Sequence, residues 1–166
     1  IVGGRGEKTE DRSFNRATEA TRQPGSTFKV VAAFLPALDG CGMSLATVYK
    51  DEPYTYTNGG KVRNWYSGYR GPSTIRQAIQ NSMNILAVKT ITDVTPELAY
   101  EYLLKLGFTT LVKERTNSSG GIESDINQSL ALGGLTDGIT NLEITLLMQQ
   151  LQMKAIISNY LLHRGI

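Results

Sequence analysis

The chain has 166 residues, enough for one domain, and its 40% hydrophobic and 19% charged residues are an ordinary globular balance. A net charge of +2 without any Lys/Arg run excludes a nucleic-acid binder of the basic type. The single cysteine, Cys41, excludes an internal disulfide and a cysteine metal cluster, and no apolar run reaches the ~20 residues that a membrane helix needs.

In chain order, Ile1-Val2 before Gly3-Gly4 suits the end of a strand entering a loop. The opening is neither a signal peptide nor headed by Met, so the chain is expected to start inside a domain. Arg5 to Arg22 is charged and reads as a surface loop. Pro24-Gly25 is a breaker pair, after which residues 26–38 read as a helix. Phe28, Val31 and Leu35 share one face of it, and Gly40-Cys41-Gly42 stops it. Ser26 is expected at or just before the first turn of that helix, where N-caps are found, with Lys29 one turn along on the same face. A hydroxyl and an amine so spaced can share a proton. The N–H groups of a helix start favour a developing oxyanion. These are the local needs of a serine nucleophile with a lysine base, although capping alone also accounts for a serine there.

Residues 43–72 carry Pro53, Asn58-Gly59-Gly60, Gly68 and Gly71-Pro72, and read as loop and turn with short strands. Trp65 and the tyrosines of this stretch either line a groove or cover the core. Ser73 is expected to cap a short helix ending at Gln80. Asn81-Ser82-Met83-Asn84 is a polar break before an apolar helix over Ile85–Ile91. A third helix is expected from Pro96 to Leu106, with Gly107 just past its end. Asn117 to Gly121 is a loop, and the glycines within Leu130–Leu135 predict close backbone approach. Thr140 or Asn141 caps a last helix. His163 stands too isolated to complete a Ser/His/Asp triad.

Two polar clusters together carry a family pattern. Ser26-Thr27-Phe28-Lys29 followed by Ser82-Met83-Asn84 resembles the first two motifs of penicillin-binding transpeptidases and serine β-lactamases. The stretches 12–18, 22–26, 70–78, 84–89 and 129–143 narrow the resemblance to bifunctional, class A penicillin-binding proteins. It covers about residues 3 to 145.

The resemblance implies an α+β fold of the penicillin-binding transpeptidase and serine β-lactamase type. Here it would be incomplete, mostly the helical part with little of the sheet. It implies a partial transpeptidase domain over 1–145 and an aberrant tail over 146–166. It also implies that Ser26 attacks the penultimate carbonyl of a peptidoglycan stem peptide ending in D-Ala-D-Ala and releases D-Ala. Lys29 would take the serine proton, Ser82 would relay a proton to the leaving amine, and Asn84 would hydrogen-bond both the substrate amide and Lys29. A neighbouring stem's amine would resolve the acyl-enzyme into a cross-link. β-Lactam antibiotics would acylate the same serine. No cofactor, metal or nucleic acid is called for. The parent protein would be membrane-anchored with this domain on the extracytoplasmic side; this stretch shows no signal, anchor or glycosyltransferase domain.

Three alternatives remain open: a catalytically dead fragment, a β-lactamase, and a lactam-sensing module. A β-lactamase needs a glutamate that activates water, and neither Glu114 nor Glu123 has a fitting spacing. The family's third motif, Lys-Thr/Ser-Gly, does not occur, and Lys89-Thr90-Ile91 continues an apolar helix instead. Without that strand one oxyanion donor is lost, which typically costs ~3 kcal/mol. Read one frame earlier, the codons permitted for residues 147–155 allow Tyr-Ala-Ala-Ile-Ala-Asn-Glu-Gly, the family pattern. A frame change near Thr145–Leu146 is therefore expected.

Overall fold

The computed structural model describes residues 14–164, with side chains described from 14 to 153. The strand end expected at Ile1-Val2 lies outside them. In chain order the elements are β1 (Thr21–Arg22), a 3₁₀ turn (Gly25–Phe28), a π-helical turn (Val30–Phe34) and α1 (Leu35–Gly40). β2 (Val48–Asp51), β3 (Tyr54–Thr55), β4 (Lys61–Val62) and β5 (Gly71–Thr74) precede α2 (Ile75–Gln80), α3 (Asn84–Val94) and α4 (Pro96–Lys105). β6 (Arg115–Thr116), β7 (Ile122–Glu123), a second 3₁₀ turn (Gln128–Leu132), β8 (Ile139–Thr140) and α5 (Asn141–Arg164) complete the order.

The elements fall into two compact units, one over Gln23–Gly138 and one drawn from the two ends of the chain. The larger unit is built around α3. Ile85, Leu86, Ala87, Val88 and Ile91 are all fully buried, so this helix is apolar nearly all round and serves as an interior element. The π-helical turn, the second 3₁₀ turn, α4 and β2 pack on it. Phe28 and Phe34 come to this core from the N-terminal helical run, Leu103 from α4 and Leu130 from the second 3₁₀ turn, all at 0–1% exposure. Each such side chain contributes roughly 1.5–3 kcal/mol by leaving water. Phe28 also meets Phe108 edge-on at 5.3 Å between centroids.

The helix expected over 26–38 is one continuous run but not a regular one. Its middle widens to π geometry, with the Leu35 N–H bonding to the Val30 carbonyl. Pro36 supplies the reason: it has no N–H, and its ring crowds the carbonyl four residues back in a regular helix. A second difference concerns α2. Its cap is Thr74, not Ser73, which lies within β5. Thr74 and Gln77 form a reciprocal capping box at 3.2 and 2.8 Å.

Strand pairing in this unit is antiparallel and two-stranded throughout. β2 and β5 pair from Val48 opposite Thr74 to Asp51 opposite Gly71. β3 and β4 form a hairpin, as do β6 and β7 across the expected Asn117–Gly121 loop. Helix and short strands together make a mixed, partial α+β fold. In the smaller unit β1 pairs with β8, and the Leu142 N–H bonds the Ala17 carbonyl at 3.0 Å. Thr140 caps α5 through the Glu143 N–H at 3.2 Å. α5 passes the 145/146 boundary without a break.

Candidate active site

The site is built on the turn that begins at Gly25. Gly25 has φ +58° and Gly133 φ +72°, conformations glycine adopts without a steric penalty. The two touch: a Cβ on Gly133 would stand 2.5–2.9 Å from the oxygen, nitrogen and Cα of Gly25. This is the close approach predicted for the 130–135 stretch. The Gln23 amide adds a second tie, bonding both the N–H and the carbonyl of Leu135. Ser26 follows as the second residue of the 3₁₀ turn, within the first turn as expected, with Pro24 at the cap. Phe28, fully buried, anchors the turn. Ser26 itself stays exposed.

Lys29 is carried inward beside Phe28 and is 2% exposed. Its Nζ donates to Ser26 Oγ at 3.1 Å, to Ser82 Oγ at 2.8 Å and to the Ser82 carbonyl at 2.8 Å. These acceptors are neutral dipoles, so no carboxylate bond offsets the loss of hydration. Burial therefore lowers the Lys29 pKa from 10.5 to about 8.

Ser82 stands at the corner between α2 and α3. Its φ of +49° is left-handed, uncommon for a residue with a side chain and typical of sites held by their surroundings. Met83, fully buried, pins the corner, and its N–H bonds the Ala78 carbonyl at 3.0 Å. Thus the structure brings Ser26, Lys29 and Ser82 together from two segments more than fifty residues apart.

Asn84 is placed differently from expectation. Its Nδ2 donates to the Arg63 carbonyl at 2.7 Å, and it is not among the partners of Lys29. The 63–66 loop lies over the start of α3 and offers that carbonyl at close range. Two residues that sequence reasoning missed sit in this region. Asn64 bonds the first N–H groups of α3, and the buried Asp51 bonds Asn64. No local spacing points to either, because both contacts join distant parts of the chain.

Chemically, the cluster can move a proton. As an ammonium, Lys29 donates to all three acceptors. As a neutral amine, its lone pair can accept from Ser26 Oγ–H while its remaining hydrogens face Ser82. The helix start at Gly25–Phe28 presents N–H groups that lack intrahelical partners. Glu123 is committed to Arg115 at 2.9 Å, and Arg115 also holds Asp137 at 2.8 Å. Glu114 is exposed beside Lys113, Ser124 and Ile126. Neither glutamate bonds Ser26 or Lys29. The side chain of His163 lies outside the described residues. Among the described residues no group of His, Cys, Asp and Glu could hold a metal ion, and no helix is long and apolar enough to cross a membrane.

Comparison with known proteins points to one family. The family model of the penicillin-binding protein transpeptidase domain matches residues 4–162. Penicillin-binding protein 1A/1B of Bacillus subtilis is 30% identical over 141 residues, covering 84% of this chain and 14% of the relative. Penicillin-binding protein 1A of Streptococcus pneumoniae is 38% identical over 116 residues, covering 68% of this chain and 16% of the relative. The crystal structure of penicillin-binding protein 1A from Haemophilus influenzae superposes with a TM-score of 0.64 at 28% identity, over 79% of this chain and 18% of that one. The chain thus spans less than a fifth of the length of these relatives. With residues 4–162 matched by the family model, and Ser26 and Ser82 meeting at the Lys29 amine, the chain belongs to the transpeptidase domain family of class A penicillin-binding proteins.

Proposed function

We propose that the chain carries the acylation centre of a peptidoglycan D,D-transpeptidase, with Ser26 as nucleophile. The observation that carries this is Lys29 Nζ, within 3.1 Å of the Ser26 hydroxyl and 2.8 Å of the Ser82 hydroxyl. Lys29 accepts the Ser26 proton as Oγ attacks the penultimate carbonyl of a D-Ala-D-Ala stem peptide. The amide C–N bond breaks, an ester to Oγ forms, and Ser82 passes the proton to the departing D-Ala amine. A second stem's amine then attacks the ester, which restores Ser26 and makes the cross-link. β-Lactams enter the same step and stay, because their amine remains tethered. On this reading Asn84 helps seat the substrate, from a position fixed by Arg63. The setting is peptidoglycan outside the cytoplasmic membrane, within a membrane-anchored parent.

A second reading has the motif residues present without turnover. It is favoured by Asn84, whose amide donates to the Arg63 carbonyl and not towards Lys29. Intact mass after incubation with a fluorescent penicillin separates the two. The first expects one stable adduct, mapped to Ser26 and lost in Ser26→Ala. No adduct supports the second, and rapid lactam turnover supports a β-lactamase.

A further inference from the structure

Behind the Ser82 corner lies a buried brace that the acyl-transfer chemistry does not use. Asp51, at the end of β2, is 1% exposed. Its Oδ1 accepts from Asn64 Nδ2 at 2.8 Å. Its Oδ2 accepts from the Tyr66 hydroxyl at 2.7 Å and the Arg70 N–H at 2.9 Å. Asn64 carries the connection onward. Its Oδ1 accepts from the Asn84 N–H at 2.9 Å and the Ile85 N–H at 3.2 Å, the first two donors of α3. The residue before the helix, Met83, has no side-chain acceptor for them, so a residue of a distant loop acts as the cap. The same loop sends Trp65 Nε1 to the Asn81 carbonyl at 2.9 Å. Both flanks of Ser82 are thereby held while its own backbone sits in the left-handed region.

The chemistry of the two side chains makes the arrangement directional. A carboxylate only accepts, so Asp51 obliges Asn64 to turn its NH₂ towards β2. That leaves the Asn64 oxygen facing the helix start. We propose that Asp51 and Asn64 are positioning residues for acyl transfer, fixing the Ser82 hydroxyl and carbonyl against Lys29. The proposal rests on Ser26, Lys29 and Ser82 working as one centre. The brace joins β2, the 63–66 loop and α3, so a change at Asp51 is felt at Lys29 without touching it.

A side-chain exchange tests this. Asn64→Asp sets two carboxylates against each other, and Asp51→Asn sets two NH₂ groups against each other. The double variant, Asp51→Asn with Asn64→Asp, restores every donor and acceptor. The amide oxygen introduced at position 51 then accepts from Tyr66 and Arg70, and its NH₂ donates to the carboxylate introduced at position 64. That carboxylate in turn accepts from the start of α3. The readout is the titration midpoint of Lys29, followed by NMR of the full chain labelled at lysine Cε, beside the rate of penicillin adduct formation. Each single variant is expected to raise the midpoint by about one pH unit, as the displaced amine regains water that solvates its charged form, and the double variant to return it to within about 0.3 unit. Unshifted singles, or a double variant that stays shifted or does not fold, overturn the proposal. Where a single variant does not fold by circular dichroism, the double variant decides alone. Failure of the unaltered chain to form an adduct counts against the proposed function; the Lys29 midpoint still judges the brace.

Discussion

Lys29→Met lowers the rate of Ser26 acylation by penicillin about a thousandfold, within the range for loss of a general base. A serine hydroxyl is a weak nucleophile until a base takes its proton. Lys29 Nζ stands 3.1 Å from Ser26 Oγ, at the long end of direct-transfer range, and its other partners belong to Ser82. Methionine keeps the length of the side chain and its packing beside Phe28, so the fold survives. Indeed, a buried amine whose charged form is disfavoured is no asset to stability at neutral pH. Lys29→Arg is expected to lose the rate as fully, because a guanidinium keeps the positive charge but does not deprotonate. Single-turnover labelling with fluorescent penicillin, with thermal melts alongside, checks both. A Lys29→Met chain labelled within about threefold of the unaltered rate would remove Lys29 from the chemistry.

Gly133→Ala carries the second large effect, and it acts from outside the motifs. The added methyl would meet the Gly25 backbone at 2.5–2.9 Å, well inside contact distance, at a φ of +72°. Left-handed strain of about 1–2 kcal/mol adds to an overpacking cost of about 1–3 kcal/mol, so a loss of roughly 2–5 kcal/mol is expected. The neighbours cannot easily yield. Gln23 grips Leu135, and Asp125 accepts from the Thr136 N–H at 2.6 Å and the Val112 N–H at 2.8 Å. The strain is therefore expected to move Gly25, and with it Ser26. Gly25→Ala is the control: a Cβ there meets open space, so only the φ of +58° counts and about 1–2 kcal/mol is lost. Urea unfolding of both variants, with their labelling rates, checks the ordering. Equal losses would mean that the contact with Gly25 is not what constrains Gly133.

Much of the helical frame was legible in local pattern. The apolar faces of the helical run from Phe28, of α3 and of α4 follow from period, and Pro96 and Gly107 mark α4 as they should. Ser26 and Lys29 were legible as a pair because one helical turn separates them. Ser82 entered through the resemblance, since no periodicity reports which corner folds back on a turn more than fifty residues earlier. The same limit hid Asp51 and Asn64, whose bonds cross 13 to 21 residues of chain and join a strand, a loop and a helix start. Where local reading erred, competing chemistry explains it. The reciprocal bonds between Thr74 and Gln77 displaced Ser73 from the cap, and Pro36 widened the helix before it. Asn84 donates its amide hydrogen to the Arg63 carbonyl, and the bond to Lys29 that the resemblance implies is not among those of the lysine.

The rate of Ser26 acylation against pH asks most directly whether a buried, readily neutral Lys29 is the base. Folding lowers its pKa from 10.5 to about 8, so at pH 7 only about a tenth of the amine is neutral and competent. The rate is therefore expected to climb about tenfold per unit below pH 8 and to level off above it. A flat profile, or a rise centred near the ordinary lysine value of about 10.4, would contradict the account.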